Sequence, residues 1–444
     1  MRNRVAMKLV IGLSLFVLSS VYGENVCGED ESGFTICHNS DVVTSITKTG
    51  NSRELSALLE NDVTIGPQAM KDLDIDELNI RFHTPDKFNR STFHTLTLGP
   101  ESFTGIVQLK DLLVEAANII TEGNPLAPLQ NLQKLSLTTC DVDEVPTEML
   151  ASLPNLKELS LQENDITTIK PNAFVGLKNL MSLDLSQNKL TNLEPGCFDG
   201  LDELRALDLS LNDFTAVPAA FKGLNNLLRL EMSYCFSLEK IEPQAFKDIP
   251  KLIILELKFN ELTTLQPGMF DEAPNLEVLN LDGNSIGDVP KGVFDKLSSL
   301  RELTLTSNNI ATIEAGAFSG LNLRVLGLAY NKQMCTIEPG VFNDLKVEHL
   351  SLVSNNISEI KPRALSGLTS TFLDLEGNKL GKIGTEDLSG VTTFLLDLSN
   401  NEITEIMPDA MENTQVKKID LSGNPVEVKD KAALGLPDDA SIIN

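Results

Sequence analysis

The sequence is short of the residues on which most metal and thiol chemistry depends. It contains four histidines, and none of them stands in an H-E-x-x-H or similar metal-binding spacing. Its six cysteines are far too few, in 444 residues, for a fold held together by disulfides. The signatures of serine hydrolases, phosphate-binding loops and catalytic cysteines are also absent from the sequence. We therefore expect no catalytic residues, no bound metal and no cofactor.

Positive charge is scarce as well. The chain carries 36 lysines and arginines against 63 aspartates and glutamates, which gives a formal charge of −27. A surface of this sign repels nucleic acid and anionic membranes. We therefore expect no nucleic-acid partner and, if the charge selects a ligand, an extracellular protein with basic groups. The alternative is that the carboxylates only keep a long surface solvated.

Long apolar runs are missing except at the start of the chain. Three cations, Arg2, Arg4 and Lys8, precede an apolar run from Leu9 to Val21, and Gly23 follows it. The run is too short to span a bilayer comfortably, and this arrangement is typical of a secretory signal peptide. We expect residues 1–23 to be removed and the protein to be secreted. A membrane anchor is the alternative.

The sequence is rich in one repeated unit. The segment NLKELSLQENDITTIKPNAFVGLK recurs almost literally as NLMSLDLSQNKLTNLEPGCFDGLD, with the skeleton L-x-x-L-x-L-x-x-N-x-[LI]. About thirteen copies, 23 to 25 residues apart, fill residues 131–426. Cys140 and Cys235 replace the asparagine in two copies. The asparagine itself is Asn164, Asn188, Asn212, Asn260, Asn284, Asn308, Asn331, Asn355, Asn378, Asn401 and Asn424.

Each position of the repeat has a physical role. In L-x-L the two leucines face the same side of a short strand, and strands of successive repeats stack in parallel. A buried asparagine amide can satisfy backbone groups where the chain leaves the sheet, and a buried cysteine can take its place. We predict an α/β solenoid, a horseshoe with a parallel sheet on its concave face and irregular or short helical convex segments. An aromatic row should line its interior: Phe174, Phe198, Phe221, Phe246, Phe270, Phe294, Phe318 and Phe342.

The ends of the array are less regular. We interpret residues 24–130 as an N-terminal cap with degenerate repeats at 75–80, 93–98 and 109–114, and 427–444 as a C-terminal cap. Cys27 and Cys37 lie close together after the cleavage point, so we expect a disulfide between them. The other four cysteines should be buried and unpaired, except that Cys335 falls in a loop with one inserted residue. A similar insertion follows Cys235, and both insertions are either tolerated or functional. Two N-glycosylation sequons occur, at Asn89 and Asn356.

The concave face carries the candidate binding residues. Its central column is acidic, which is either repeat consensus or functional, and reads Asp184, Asp208, Glu231, Glu256, Asp374, Asp397 and Asp420. Exposed apolar patches with aromatic and arginine residues are typical of interfaces, although single apolar positions can also be tolerated or covered by loops. The predicted protein-binding patch comprises Arg205, Asp208, Leu211, Arg229, Glu231, Tyr234, Ile254, Glu256, Phe259 and Tyr330.

The repeat L-x-x-L-x-L-x-x-N-x-L-x-x-I-x-P-x-A-F-x-G-L resembles the typical class of extracellular leucine-rich repeats, over about two thirds of the chain. This class includes Toll-like receptor ectodomains, Slit and the acid-labile subunit of the insulin-like growth factor complex. The resemblance implies a horseshoe that binds proteins, in innate immunity or extracellular signalling. Cap cysteines are fewer here than is usual in the class, so a soluble binder is favoured over a signalling receptor. The alternative function is a non-catalytic scaffold or inhibitory subunit of a secreted enzyme complex.

Overall fold

The structure, a computed structural model, divides into two compact units. The N-terminal unit comprises residues up to Asn212 together with Ala220–Leu227, and the C-terminal unit comprises Asp213–Ala219 together with Leu228–Asn444. The predicted signal peptide, residues 1–23, lies outside the described part of the chain. The residues that the structure describes are 26–29, 33–84, 89–408, 410–411, 413–427, 435–436 and 440–444.

The N-terminal unit consists almost entirely of short strands. Its one described α-helix, α1, spans Thr147–Leu150, and a 3-10 turn spans Arg90–Thr92. The strands are β1 Val26–Glu29, β2 Phe34–Asn39, β3 Val42–Lys48, β4 Glu54–Leu59, β5 Val63–Ile65, β6 Glu77–Phe82, β7 His94–Leu98, β8 Asp111–Glu115, β9 Ala117–Thr121, β10 Lys134–Thr138, β11 Glu158–Ser160, β12 Ser182–Asp184 and β13 Ala206–Asp208.

The C-terminal unit continues the same pattern. Its strands are β14 Ala216–Val217, β15 Arg229–Glu231, β16 Lys240–Ile241, β17 Ile254–Glu256, β18 Val278–Asn280, β19 Asp288–Val289, β20 Glu302–Thr304, β21 Thr312–Ile313, β22 Asn322–Gly327, β23 Thr336–Ile337, β24 Lys346–Ser351, β25 Glu359–Ile360, β26 Thr369–Asp374, β27 Lys382–Ile383, β28 Thr392–Asp397, β29 Glu405–Ile406, β30 Gln415–Asp420 and β31 Ser441–Ile443.

Two sheets run through the N-terminal unit. The main sheet stacks β4, β6, β8, β10, β11, β12 and β13 in parallel, so that Leu135, Leu159, Leu183 and Leu207 face one another in register. The second sheet joins β1, β2, β3, β5, β7 and β9. The segment at 93–98, interpreted above as a degenerate repeat, forms β7 of this second sheet. The main sheet instead contains β4, which the repeat pattern does not reveal.

One main sheet also runs through the C-terminal unit. It stacks β15, β17, β18, β20, β22, β24, β26, β28, β30 and β31 in parallel, one strand per repeat. Two-residue strands on the return segments pair as β14 with β16, β19 with β21, β23 with β25, and β27 with β29. Each unit is therefore a parallel-strand solenoid, as the repeat predicts. The last strand, β31, pairs in parallel with β30.

The asparagine ladder has the predicted hydrogen bonds. Asn284 is buried, its Nδ2 donates to the carbonyls of Leu257 and Leu281 at 2.9 and 3.0 Å, and its Oδ1 accepts from the backbone N–H of Leu262 at 3.0 Å. Cys140 fills this position with its thiol, which donates to backbone carbonyls at 3.2 and 3.3 Å. The ladder therefore connects each turn to the preceding repeat, and the carbonyl of Leu257 accepts from the amides of both Asn260 and Asn284.

The interior is a stack of phenylalanine rings, as expected. In the C-terminal unit Phe246, Phe270, Phe294, Phe318 and Phe342 are buried, and neighbouring rings stack with centroids 5.9 to 6.3 Å apart. In the N-terminal unit Phe174 stacks on Phe198. The period of these rings matches the repeat, so they form part of the core packing.

The cysteines are placed as predicted. Cys27 and Cys37 are directly opposite each other on β1 and β2 and form a disulfide. The other four are free: Cys140, Cys197 and Cys235 are buried, and Cys335 is exposed. Burial raises the pKa of the Cys140 and Cys197 thiols to about 12, so both stay protonated at neutral pH. Buried protonated thiols of this kind are inert.

Candidate functional site

The position before each ladder residue adopts a left-handed backbone conformation. Its φ angle lies between +52° and +74° in every repeat, from Thr139 to Gly423. A side chain with a β-carbon is disfavoured there by roughly 1–2 kcal/mol, and glycine and asparagine tolerate it best. Several repeats do use these residues, as Gly283, Gly377 and Asn400 illustrate. Four repeats carry a large apolar or aromatic residue here: Leu211, Tyr234, Phe259 and Tyr330.

Three aromatic side chains meet on the solvent side of the C-terminal unit's main sheet, and we call them the aromatic cluster. Tyr234 stacks on Phe259 with ring centroids 4.9 Å apart and ring planes 13° apart. Phe236 meets Tyr234 edge to face at 6.3 Å. Phe259 is 43% exposed and Phe236 is 68% exposed. An apolar surface of this kind is costly to hold in water, and it is typical of a binding site.

A glycine supports the outer ring of the cluster. A β-carbon added at Gly283 would lie 2.5 Å from Cδ1 of Phe259, so the ring rests directly against the glycine backbone. The φ of Gly283 is +67°, and glycine therefore fits this position for conformation and for space. The glycine in the neighbouring repeat thus lets the Phe259 ring lie flat along the sheet.

A charged group accompanies the cluster on β15 and β17. Nε of Arg229 donates to Oε1 of Glu231 at 2.6 Å, and an Arg229 guanidinium nitrogen lies 4.0 Å from Oε1 of Glu256. The Glu256 side chain is only 13% exposed. One guanidinium is therefore placed against two carboxylates that face the same side of the sheet.

The remaining residues of the predicted patch are distributed over both units. Ile254 is half-buried on β17, and Tyr330 is 50% exposed in the left-handed position after β22, three strands further along the sheet than Phe259. Arg205 and Leu211 are exposed residues of the N-terminal unit, and Asp208 accepts a hydrogen bond from the backbone N–H of Ser210 there. The structure thus groups Tyr234, Phe259, Arg229, Glu231 and Glu256 within one unit.

Sequence reasoning missed Phe236, the most exposed member of the cluster. The residue lies in the insertion between Cys235 and Leu238, which the repeat pattern marks only as a loop with one extra residue. An inserted aromatic residue directly after an exposed tyrosine was the available signal. The second insertion, after Asn331, carries exposed Lys332 and Gln333 and no aromatic residue.

The described residues contain neither a metal-binding cluster nor a membrane-spanning helix. Within them, no group of three or more histidines, cysteines, aspartates or glutamates could hold a metal ion. The described chain also contains no helix that is long and apolar enough to cross a membrane. Burial raises the pKa of Asp374, the last residue of β26, and of Asp282, in the turn after β18.

The repeats identify the family. The leucine-rich-repeat family model matches residues 130–190, 178–236, 233–286, 274–332 and 322–380, which together make up more than half of the chain. The chain therefore belongs to the leucine-rich-repeat family, whose members are generally non-catalytic binding scaffolds. A comparison with curated protein sequences finds no match.

Solved structures share the fold. The Toll-like receptor TLR13, in a complex with single-stranded RNA, is 22% identical with a TM-score of 0.58 over 82% of this chain and 54% of its own. Toll, in its Drosophila complex with Spätzle, is 18% identical with a TM-score of 0.54 over 91% of this chain and 66% of its own. A leucine-rich-repeat protein of Leptospira interrogans is 24% identical with a TM-score of 0.55 over 87% of this chain and all of its own. The chain spans only about half to two thirds of the length of the two receptor chains.

Proposed function

We propose that this protein is a secreted recognition protein that binds an extracellular protein ligand through its concave face, at the solvent-exposed side of the main sheet of its C-terminal unit. The observation that carries the proposal is the aromatic cluster, whose rings Tyr234 and Phe259 occupy left-handed positions where glycine or asparagine would be easier to accommodate. Exposed aromatic residues with an adjacent arginine are typical of the centres of protein interfaces. Ile254 and Tyr330 of the same unit extend the proposed contact surface, and Arg205, Asp208 and Leu211 stay proposed binding residues of the N-terminal unit.

Secretion is proposed on two grounds. The N-terminal sequence has the form of a signal peptide, and the Cys27–Cys37 disulfide requires an oxidising compartment. The proposed organisation is a signal peptide at 1–23, a cap with degenerate repeats at 24–130, repeats at 131–426 and a second cap at 427–444.

The class of ligand is proposed from charge and from the solved neighbours. Toll is seen with Spätzle and TLR13 with single-stranded RNA, which makes a role in innate immunity or extracellular signalling a reasonable frame. The net charge of −27 favours a protein over a nucleic acid. The alternative role, a non-catalytic scaffold or inhibitory subunit of a secreted enzyme complex, predicts copurification with that enzyme at a constant ratio.

The test replaces the cluster residues with asparagine, which fits the left-handed backbone. Tyr234→Asn and Phe259→Asn should each weaken binding of the protein ligand captured from the native secretion by about 30-fold, corresponding to a hot-spot residue. The matched control is Phe394→Ser, which removes an aromatic side chain of 60% exposure from β28. Binding is measured by surface plasmon resonance, and thermal unfolding verifies that all three variants are folded.

Two results would contradict the proposal. One is full ligand binding by both asparagine variants. The other is loss of binding in Phe394→Ser alone. If the captured ligand is RNA and the asparagine variants lose its binding, the location of the site is supported and the proposal of a protein ligand is wrong.

A further inference from the structure

Glu256 has an acceptor atom that the chain itself does not use. Arg229 forms its hydrogen bond with Glu231 at 2.6 Å and lies 4.0 Å from Oε1 of Glu256. Within the part of the chain that the structure describes, Oε2 of Glu256 is buried and has no hydrogen-bond partner. A carboxylate oxygen without a donor is unfavourable. The Glu256 side chain is 13% exposed, so a rotation of its carboxyl group would present this oxygen to a donor from outside, and that donor would stabilise the site.

The aromatic cluster lies within reach of this oxygen. Glu256 and Phe259 are three residues apart, and three extended residues span at most about 10 Å. Phe259 stacks on Tyr234, which Phe236 meets edge to face. One short segment of a ligand can therefore contact the aromatic rings and Glu256 together.

Arginine is the side chain that fits both features. Its guanidinium donates to carboxylates in a planar, two-pronged geometry and also stacks on aromatic faces, whereas lysine is a compact point charge. The charge of the chain, −27, would speed the approach of a basic segment.

We propose that the site recognises an arginine-containing basic segment of an extracellular protein, with the guanidinium bound at Glu256 and the rest of the segment against the aromatic cluster. This inference rests on the proposed function and specifies the chemistry of its ligand. It assigns Glu256 the role of selecting a cation, and the cluster residues Tyr234, Phe236 and Phe259 the role of covering it from water.

The absence of tryptophan provides a direct probe. The chain has three tyrosines, Tyr22, Tyr234 and Tyr330, and no tryptophan. In a Tyr330→Phe background, Tyr234 is the one tyrosine among the described residues, so tyrosine fluorescence reports on the cluster. The ligand is an acetylated, amidated heptapeptide with three arginines and no aromatic residue. Its counterparts replace every arginine with citrulline, the neutral isostere, or with lysine.

The arginine peptide should change the Tyr234 fluorescence in a saturable manner. The citrulline peptide should bind at least about tenfold more weakly because the charge is lost, and the lysine peptide should fall between them. Glu256→Gln should weaken the arginine peptide by about tenfold or more. Glu272→Gln is the matched control, since it removes the same charge from an exposed turn, and it should change binding by less than about twofold.

Equal binding of the arginine and citrulline peptides would overturn the inference, and so would equal losses in Glu256→Gln and Glu272→Gln. The peptide comparison needs no Glu256 variant, so it decides the question even if Glu256→Gln fails to fold. Failure of the proposed function is distinct: there the captured protein still binds to Tyr234→Asn and Phe259→Asn. If those variants lose binding of the captured protein while Glu256→Gln and the citrulline peptide show unchanged binding, the proposed recognition function is supported and the preference for arginine is rejected.

Discussion

This protein differs from the repeat consensus at single residues on the exposed side of the sheet, above all Tyr234 and Phe259. The aromatic side chains at 234 and 259 are visible in the sequence, and their exposure follows from the repeat register. Their left-handed backbone could not be derived from the L-x-x-L-x-L-x-x-N pattern alone, because only the glycines and Asn400 in that column hint at it. The unpaired oxygen of Glu256 was equally invisible, since it depends on which carboxylate Arg229 contacts.

The ladder makes a sharp prediction about one residue. Asn284→Leu removes the buried acceptor for the Leu262 N–H. It also removes one of the two amide donors to each of the carbonyls of Leu257 and Leu281, which keep the amides of Asn260 and Asn308. The Leu262 N–H that is left without a partner costs about 1–3 kcal/mol of unfolding free energy. Asn284→Cys should cost less, because the Cys140 thiol already donates to backbone carbonyls in this position. Chemical denaturation measures both variants, and identical midpoints would refute this account of the ladder.

At the level of strands and turns, the regular repeats were predictable and the N-terminal region was less so. The main-sheet strands from β10 to β30 follow from the leucine spacing, whereas the two-residue strands of the return segments, where irregular or short helical segments were predicted, do not. The repeat pattern did not predict β4, because its segment lacks an asparagine at the position that marks a repeat. The segment His94–Leu98 has the correct alternation but joins the second sheet, since alternation identifies a strand and not the sheet to which it pairs.

The two sequons lie on different turns, and secretion through a eukaryotic pathway should modify them differently. Asn89 is exposed before the 3-10 turn, and Ser91 Oγ donates to its Oδ1 at 2.7 Å. Asn356 is half-buried, and its Nδ2, the atom to which the glycan attaches, donates to the carbonyl of Lys332 at 2.6 Å. We therefore expect a glycan on Asn89 and none on Asn356.

Intact-mass measurement before and after glycosidase treatment tests the expectation. Asn89→Gln should abolish the mass difference, and Asn356→Gln should leave it unchanged. If Asn356→Gln abolishes the mass difference and Asn89→Gln does not, the hydrogen bond of Asn356 does not prevent its glycosylation. If the secreted protein shows no mass difference at all, neither asparagine is glycosylated.

For the whole molecule, the excess of acidic charge links stability to pH. Burial raises the pKa of Asp111, Asp282, Asp374 and Asp387 above the ordinary value. The folded state therefore binds protons that the unfolded state does not yet bind, so stability should rise as pH falls through the folded pKa values. Asp76 has the opposite shift, because the hydrogen bond from Arg53 lowers its pKa, and its contribution is lost only at much lower pH.

We expect a higher melting temperature at mildly acidic pH than at neutral pH. Asp374→Asn should reduce this difference, because Asp374 is buried beside Asp397 and its shift is caused first by desolvation and then by that neighbour. The control is Asp72→Asn, an exposed carboxyl. A melting temperature that falls on mild acidification, or an equal effect of the two variants, would contradict the linkage.

The left-handed column also bears on how such a protein can change its specificity. In each repeat the residue before the ladder position points outward and has a positive φ. The buried leucines and the ladder asparagine beside it maintain the fold. Glycine or asparagine at this residue adds little side chain to the surface, whereas an aromatic residue adds a ring that can contact a ligand. Parallel strands place these positions about 4.8 Å apart. A library that varies Tyr234, Phe259, Gly283, Ser307 and Tyr330 would therefore sample new binding surfaces without touching the core.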